Sequence, residues 1–325
     1  MKIAVIDDYQ DAFRTLSVFP RLKDHEVVAF TDPEKDPARI AVRLNEAGAE
    51  ALVLTQQRTG IPRVLIEQLR TLKMISQTGT HTSHIDLAAC TEHGIVVSAG
   101  GGGNPSPTAE LTWGLILASL RHIPFEAEQM KRGRWQSTLG VGLKGKTLGV
   151  YALGKIGAVV AEVGRSFGMR VRCWGRSGSL GRARMAGFEV ASSREDFFST
   201  SDVLSLHIPL NAETRALVKA EDLARMKETA LLVNTSRAPI VEAGALVAAL
   251  KSGRPGFAAV DVYEEEPVLN GEHPLLHMDN VLCTPHLGYV VRENYESYYA
   301  TVVDQLLAFS AGKPINIANP AVLKS

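Results

Sequence analysis

Short apolar segments rich in β-branched residues alternate along this chain with longer segments of helical periodicity. The first series of short segments is KIAVI, VVAF, ALVLT, KMIS and GIVVS. The second series is TLGVY, MRVRCW, FEV, VLSLHI, ALLVN, FAAVDV and VLCTP. Such alternation is typical of βαβ units, in which helices join parallel strands. The sequence therefore predicts an α/β protein with two doubly wound parallel-sheet domains.

Two crossings of the chain separate these domains. The glycine-rich stretch Gly100–Gly103 follows the first series, and a helical segment from about Arg292 to Ala311 follows the second. After the glycine-rich stretch, a helix is predicted with Ser106 as its N-cap and Pro107 at its first position. The predicted division is 1–99 plus 291–325 for one domain and 100–290 for the other.

The composition argues against several classes of function. The 325 residues have a formal net charge of zero, so no global field attracts nucleic acid or an anionic membrane surface. No apolar run reaches the roughly 18 residues of a membrane span, and the N-terminal MKIAVIDDYQ reads as a strand rather than a signal peptide. The three cysteines, Cys90, Cys173 and Cys283, lie in or beside apolar segments. They are predicted to be reduced, buried thiols of a cytoplasmic protein.

The segment LGVYALGKIGAVVAEVGR, residues 148–165, nearly matches a dinucleotide-binding loop. Gly154 and Gly157 hold the last two glycine positions of the Gly-x-Gly-x-x-Gly pattern, and Ala152 holds the first. A predicted strand precedes the loop, and a predicted helix follows it and ends at Gly168. Amides at such a helix start bind a pyrophosphate, which makes the candidate contacts Gly154, Lys155, Ile156 and Gly157. Ala152 only has to make the turn, so a negative φ is expected there. The alternative is an ordinary strand–helix turn.

The next strand ends in VRCWGRS, and this ending bears on the choice of cofactor. Gly175 stands where NAD-binding folds place an acidic residue, which binds the ribose 2′-hydroxyl and would repel a 2′-phosphate. Arg176 and Ser177 follow, and guanidinium and hydroxyl donors suit a phosphate. The sequence favours NADP(H). The alternative is that NAD binds through a looser ribose site and Arg176 is a solvated surface residue.

Polar residues follow three strands of the second series. Arg237 comes after LLVNTS, Asp261 and Glu266 lie in AAVDVYEEEP, and His286 lies in VLCTPHLG. The carboxyl ends of strands are where open α/β sheets bind ligands. A carboxylate stabilises the charged form of a proton-donating histidine, and an arginine holds a substrate carboxylate and polarises a carbonyl. The sequence therefore predicts a catalytic group of Arg237, Glu266 and His286.

With these segments the chain resembles the D-isomer-specific 2-hydroxyacid dehydrogenase family, which includes glyoxylate and hydroxypyruvate reductases and 3-phosphoglycerate dehydrogenases. The matching segments are LVLTQQRTG, TGTHTSHIDLAACTEHGIVV, PTAELTW, LKGKTLGV and TPHLG. The resemblance implies a flavodoxin-like substrate domain, a Rossmann dinucleotide-binding domain, a closing cleft and a homodimer built on the cofactor domains. It also implies hydride transfer between NAD or NADP and a small 2-keto or 2-hydroxy acid.

The resemblance further implies roles for individual residues. Arg237, Glu266 and His286 match the family's catalytic residues, and Asp261 matches its partner for the nicotinamide carboxamide. The substrate carboxylate is expected on a loop that corresponds to Gly79, Thr80 and His81, with Gln57 lining the same site. The remaining residues expected to line the cofactor are Thr108, His207, Pro209, Thr235 and Gly288.

The chain departs from the family pattern at two places. The substrate loop reads TGTHTSHID where the family usually has Gly-x-Gly-x-Asp-Asn, and Ala238 and Pro239 follow Arg237 in place of two glycines. His81 beside the carboxylate site could reshape substrate choice. The substrate of any one family member is therefore not transferred to this chain.

Two other functions of the same fold are alternatives. A nucleotide-sensing corepressor, like the C-terminal-binding proteins, is expected to carry extra tails and peptide-docking grooves. A formate dehydrogenase pairs its histidine with a glutamine. Glu266 argues against that enzyme, because a formate carbon needs no protonated donor.

A zinc site is a further alternative in the stretch HTSHIDLAACTEH. His81, His84, Cys90 and His93 could be arranged as ligands. However, the stretch is predicted to be a loop that enters a helix, and the sequence has no second ligand cluster. No metal is expected.

Overall fold

The computed structural model describes residues 1–324, and its backbone forms two compact units. One unit comprises Met1–Asn104 and the chain from Val290 onward, and the other comprises Pro105–Tyr289. Across residues 1–324, no helix has both the length and the apolar character that a membrane crossing requires.

The elements are numbered in chain order. The strands are β1 (Lys2–Val5), β2 (Glu26–Ala29), β3 (Ala51–Leu54), β4 (Met74–Thr78), β5 (Val96–Gly100), β6 (Thr147–Tyr151), β7 (Arg170–Trp174), β8 (Glu189–Val190), β9 (Val203–Leu206), β10 (Leu231–Asn234), β11 (Phe257–Val260) and β12 (Val281–Cys283). The α-helices are α1 (Pro37–Glu46), α2 (Arg63–Ile66), α3 (Leu87–Glu92), α4 (Ser106–Leu120), α5 (Ile123–Lys131), α6 (Lys155–Ser166), α7 (Ser177–Met185), α8 (Arg194–Thr200), α9 (Ala220–Ala224), α10 (Ala245–Ser252) and α11 (Arg292–Ser310).

The first unit contains a five-stranded sheet in the order β2-β1-β3-β4-β5. Every pairing between its strands is parallel. This is the flavodoxin-like order 2-1-3-4-5, in which the direction of winding reverses between β1 and β3. The predicted flavodoxin-like fold is confirmed.

The second unit contains a seven-stranded parallel sheet in the order β12-β11-β10-β9-β6-β7-β8. Counted from β6, the order is 3-2-1-4-5-6 with one strand added, which is the Rossmann arrangement. The direction of winding reverses between β6 and β9. The carboxyl ends of β6 and β9 therefore border the crevice where this fold binds a dinucleotide.

The sequences of β3 and β10 explain why both are interior strands of their sheets. All residues of β3 (ALVL) and β10 (LLVN) are buried. Helices cover both faces of a parallel sheet, so strands such as β3 and β10 are largely apolar rather than alternating. In α6, Val160 and Ala161 face the core, and Gly168 follows the helix with a φ of 75°, as predicted for its end.

The last helix, α11, packs within the first unit. The hydroxyl of Tyr299, which is fully buried, lies 2.7 Å from the hydroxyl of Thr55 at the end of β3. Its ring stacks on Phe13 with centroids 4.6 Å apart. Helix α11 is thus part of this unit's core.

Helix α4 begins one residue earlier than predicted. Ser106 is its first helical residue and Pro105 its N-cap, so the prediction of Ser106 as N-cap is wrong, and Pro107 lies at the second position. Pro105 has a φ of −72° and a ψ of −19°. Because the proline ring holds φ near the helical value, the chain enters the helix before Ser106 can cap it.

The three cysteines are free thiols. Cys90 and Cys173 are buried, and burial raises the pKa of each thiol to about 12. Cys283 is half-buried rather than buried.

Candidate active site

The loop between β6 and α6 corrects one prediction from the sequence. Ala152 has a φ of 73°, so the predicted negative φ is wrong. The Ala152 amide donates to the Trp174 carbonyl at 2.8 Å, and its carbonyl accepts from the Gly154 amide at 3.0 Å. A left-handed residue lets the chain make both contacts within one tight turn. A non-glycine residue in that conformation costs roughly 1–2 kcal/mol, and these contacts offset it.

The two glycines of this loop serve different purposes. A Cβ on Gly157 would lie 2.4 Å from the Ala152 carbonyl oxygen, so α6 and the turn pack too closely for any side chain. A Cβ on Gly154 would meet no atom within 4 Å, and its φ of −88° suits any residue. The first amides of α6, which follow at Lys155, have no partner inside the helix and favour an anion. The open space beside Gly154 leaves room for the pyrophosphate expected at this helix start.

This contrast predicts opposite results for two alanine variants. Gly157→Ala should lower the free energy of unfolding by about 1–3 kcal/mol, because its methyl group overlaps a backbone oxygen. Gly154→Ala should leave that free energy within about 0.5 kcal/mol, yet weaken dinucleotide binding, because its methyl group occupies the phosphate position. Urea unfolding and a nucleotide titration measure the two effects. Tight binding by Gly154→Ala would contradict the phosphate site.

Helix α7 holds the same loop from the side. The Leu153 amide donates to the Ser179 hydroxyl at 2.6 Å, and the Arg182 guanidinium donates to the Leu153 carbonyl at 2.6 Å. Gly175 has a φ of 152°, and a Cβ there would lie 3.1 Å from the Ser179 hydroxyl. The sequence patterns give no signal for Ser179 and Arg182, because their contacts depend on how α7 packs.

Arg176 lies at the end of β7 and forms an ion pair that the sequence did not predict. Its guanidinium lies 2.5 Å from a carboxylate oxygen of Glu213, in the segment after β9. Both side chains are exposed. Ser177 is exposed too, at the first position of α7.

His286 and Glu266 form the predicted pair. The Nδ1 atom of His286 lies 2.5 Å from one carboxylate oxygen of Glu266, and the Tyr263 amide donates to the other at 2.9 Å. Both side chains are about one-quarter to one-third exposed, at 26% and 32%. Because Glu266 occupies Nδ1, the Nε2 atom remains to face a ligand.

The Glu266 carboxylate is held in its ionised form. Burial by itself would raise the pKa of Glu266, but the hydrogen bond and charge of His286, the Tyr263 amide and the charge of Arg237 outweigh it, and the pKa lies below its ordinary value. An ionised Glu266 keeps a proton on Nδ1 of His286 and stabilises the charged ring. The pair is therefore suited to proton transfer.

Asp261 organises the loop that carries His286. One of its oxygens accepts from the Thr284 hydroxyl and the Leu287 amide, both at 2.7 Å, and the other accepts from the Gly288 amide at 2.9 Å. The carboxyl is fully buried, and this burial raises its pKa despite the three donors. The sequence assigned Asp261 only to the cofactor and missed this second role.

A row of threonine hydroxyls connects α4 to the strand ends. The Thr108 hydroxyl donates to the Gly288 carbonyl at 2.8 Å, and the Thr112 hydroxyl donates to the Thr108 carbonyl at 2.8 Å. Thr112 also lies 2.8 Å from the Thr235 hydroxyl. A Cβ on Gly288 would lie 3.3 Å from both Thr108 and Asp261. The structure thus brings Thr108, Thr235, Asp261 and Gly288 together, with Thr112 as an unpredicted member.

Arg237 lies at the end of the turn after β10 with an exposed side chain. Its guanidinium donates to the Ser236 carbonyl at 2.7 Å, and its carbonyl accepts from the Asn234 side chain at 3.1 Å. The charge of Arg237 reaches Glu266 and lowers the pKa of that carboxyl. The backbone is therefore anchored while most of the guanidinium's donors point to solvent.

His207 and Pro209 follow β9. The His207 ring lies 2.9 Å from the Ser205 hydroxyl, and loss of solvent lowers its pKa to about 4, so the ring is neutral at pH 7. Pro209 is exposed, and its carbonyl accepts from Thr214 at 2.6 Å. A neutral ring beside the crevice suits contact with an uncharged part of a ligand.

The predicted substrate residues lie in the first unit. The Gln57 side chain donates to the Ser83 hydroxyl at 3.1 Å, which links the loop after β3 to the loop after β4. Gly79 has a φ of 83°, and its amide donates to Gly100 at 2.8 Å. Thr80 and His81 follow with exposed side chains. Their arrangement leaves a polar loop at the carboxyl end of β4.

The histidine-rich stretch of the first unit does not form a metal cluster. Over residues 1–324, no group of three or more His, Cys, Asp or Glu side chains is arranged to hold a metal ion. His84 is partly buried, and desolvation lowers its pKa to about 4.

Comparisons with known proteins decide the family. The sequence model of the "D-isomer specific 2-hydroxyacid dehydrogenase, NAD binding domain" matches residues 113–288. The chain belongs to this family. It is 38% identical to a glyoxylate reductase of Aeropyrum pernix over 96% of both chains. A crystal structure of an oxidoreductase from Ralstonia solanacearum is 48% identical, with a TM-score of 0.94 over 99% of this chain and 98% of that one. A crystal structure of a phosphoglycerate oxidoreductase from Vibrio cholerae is 44% identical, with a TM-score of 0.91 over 96% of this chain and 99% of that one.

Membership of the D-2-hydroxyacid dehydrogenases defines the class of reaction. The chain is an oxidoreductase that acts on the CH–OH group of a 2-hydroxy acid with a nicotinamide cofactor. The predictions of an enzyme of this family and of a nicotinamide cofactor are confirmed.

Proposed function

We propose that this D-2-hydroxyacid dehydrogenase interconverts a small 2-keto acid and its 2-hydroxy acid, with His286 as the proton donor. The observation that carries the proposal is the 2.5 Å contact between His286 Nδ1 and the Glu266 carboxylate. It leaves Nε2 of His286 as the proton-transferring atom. The glutamate also supports this reading over a formate dehydrogenase, which needs no protonated donor.

In the reducing direction, Arg237, His286 and Glu266 have separate roles. A bound nicotinamide supplies the hydride. Arg237 holds the substrate carboxylate and polarises the keto oxygen, because its guanidinium is charged and largely directed to solvent. His286 gives a proton to the same oxygen, and Glu266 stabilises the charged ring before that transfer. In the oxidising direction His286 takes the proton back.

The substrate-binding role of the first unit is part of the proposal. The backbone amides of Gly79, Thr80 and His81 are proposed to hold the substrate carboxylate, and Gln57 to line the rest of the substrate. The positive φ of Gly79 and the contact of Gln57 with Ser83 support this assignment, because both set the shape of one loop cluster.

A screen of 2-keto acids tests the proposed function. Glyoxylate, hydroxypyruvate and pyruvate are each incubated with NADPH and with NADH, and loss of absorbance of the reduced cofactor is followed. Turnover of at least one acid is expected. If the chain binds a dinucleotide but turns over none of them, the enzyme assignment for small 2-keto acids is wrong.

NADP(H) is the proposed preferred cofactor. Gly175 brings no carboxylate to the end of β7, and its φ of 152° with Ser179 close by disfavours any residue that could bring one. Arg176 and Ser177 then present donors at the same place.

The three free thiols agree with the predicted cytoplasmic location, which stays a prediction.

A homodimer through the cofactor unit is also proposed. Exposed large apolar side chains concentrate between residues 123 and 141. They are Ile123, Phe125, Met130, Trp135, Leu139 and Val141. Trp135 is 75% exposed and Leu139 is 93% exposed. An apolar surface of this kind marks an interaction site.

Charge on that surface should separate the subunits. The double variant Trp135→Lys, Leu139→Lys is expected to be a monomer in light scattering, because desolvating two ammonium groups opposes association. Met185→Lys is the matched control, since Met185 is 90% exposed in the same unit, and it should remain a dimer. A monomeric wild-type protein would contradict the proposed dimer.

A further inference from the structure

The ion pair between Arg176 and Glu213 joins two parts of the crevice that the sequence did not connect. Arg176 caps the start of α7, and Glu213 lies 37 residues further along the chain, after β9. Their side chains meet at 2.5 Å. The two side chains are 66% and 76% exposed, so the ion pair contributes little to the free energy of unfolding. Stability therefore does not explain why these two side chains meet.

The position of Glu213 is built rather than accidental. The side chain of Asn211 accepts the amide of Glu213 at 2.9 Å and that of Thr214 at 3.0 Å. The Thr214 hydroxyl, on a buried residue, donates to the Pro209 carbonyl at 2.6 Å. These bonds fix the backbone on both sides of the carboxylate. Glu213 is therefore held beside the end of β7.

The charges of the two partners have opposite effects on the two nicotinamide cofactors. A 2′-phosphate carries a charge of about −1.5 to −2 near neutral pH, is attracted by a guanidinium and is repelled by a carboxylate. A ribose 2′-hydroxyl donates a hydrogen bond to a carboxylate. Gly175 removes the carboxylate from its usual place at the strand end, and Glu213 brings one back from the neighbouring segment.

We propose that Glu213 is a specificity-determining residue that opposes Arg176 in the choice between NADP(H) and NAD(H). With NADP(H), Arg176 leaves Glu213 and binds the 2′-phosphate, while the carboxylate weakens that binding. With NAD(H), Glu213 accepts a ribose hydroxyl and keeps Arg176 paired. The enzyme consequently uses both cofactors, with a smaller preference than Arg176 alone would produce. This inference rests on the proposed binding of the cofactor at the β6–α6 loop.

Equilibrium binding of nucleotide fragments to the full chain tests the proposal. The probes are 2′,5′-ADP and 5′-AMP, which differ only by the 2′-phosphate, together with NADP⁺ and NAD⁺. Glu213→Gln should bind 2′,5′-ADP and NADP⁺ about five- to tenfold more tightly, because it removes a like charge, and should not tighten 5′-AMP or NAD⁺. Arg176→Gln should weaken 2′,5′-ADP by a similar factor and leave 5′-AMP nearly unchanged.

Controls distinguish a specific effect of Glu213 from the effect of removing any negative charge from this unit. Glu221→Gln removes an exposed carboxylate from α9 in the same unit and should leave all four affinities unchanged. The tightening by Glu213→Gln should also shrink as salt rises, because the charges are exposed. Equal effects of Glu213→Gln on both fragments, or no effect on either, would overturn the proposal. Fragment binding that follows the prediction without turnover of any 2-keto acid would instead contradict the proposed function alone.

Discussion

The His286→Ala variant should lose turnover while it keeps its cofactor. We expect kcat to fall by about 10²–10⁴-fold, the usual contribution of a positioned general acid or base. Affinity for the dinucleotide should change by less than about twofold, because the proposed pyrophosphate site is the start of α6 and not the loop of residues 284–288. Steady-state kinetics with the best 2-keto acid and a titration with the oxidised cofactor measure the two quantities.

A second histidine in the same unit provides the control. His277 is exposed, and its ring contacts only the Gly271 carbonyl among the contacts described, at 2.9 Å. His277→Ala should therefore keep kcat within about twofold. Glu266→Gln should lower kcat by less than His286→Ala does, because the ring remains but loses the charge that stabilises its protonated form. Normal kcat in His286→Ala would remove this residue from the mechanism.

The Asp261→Ala variant should lose both stability and turnover. The change leaves the Thr284 hydroxyl and the Leu287 and Gly288 amides without their acceptor. The Gly288 amide is buried and the other two donors are partly buried. An unpaired buried donor costs about 1–3 kcal/mol, so the expected loss in the free energy of unfolding is about 3 kcal/mol in total. Because these donors position the loop of His286, kcat should fall as well. Urea unfolding and steady-state kinetics at one pH provide the test.

Asp261→Asn supplies a graded comparison. Its side chain keeps the shape and one acceptor oxygen, but its amide nitrogen must face at least one of the three donors. The loss of stability should therefore lie between those of wild type and Asp261→Ala. If the urea midpoint of unfolding is the same for Asp261→Ala as for the wild-type protein, the proposed role of Asp261 in holding the loop is wrong.

Local spacing in the sequence accounts for most features of the Gly154–Gly157 loop. The strand, the turn, the helix and the stop at Gly168 follow from local spacing, and the structure has all of them. The sign of φ at Ala152 did not follow, because steric tolerance of a methyl group does not decide it. The contacts of Ala152 with Trp174 and Gly154 decide that angle, and Trp174 belongs to another strand.

The segments that contain Glu266 and His286 show the same division between local pattern and tertiary structure. Placing Glu266 and His286 after neighbouring strands was possible from the sequence, because the carboxyl ends of parallel strands share one edge. The role of Asp261 under the loop of His286 was not predictable. It depends on backbone amides of Leu287 and Gly288, whose directions no residue pattern encodes.

The sequence alone determined the class of fold, the order of the strands, the position of the glycine loop after β6 and the polar residues at the strand ends. These features follow from periodicity, which depends on neighbours a few residues apart. Only the tertiary structure decided the contacts that no pattern indicated, including Arg176 with Glu213 and Asp261 with the Leu287 amide. Such contacts join residues 37 and 26 positions apart, and their geometry depends on how the intervening strands and helices pack rather than on the local preference of either residue.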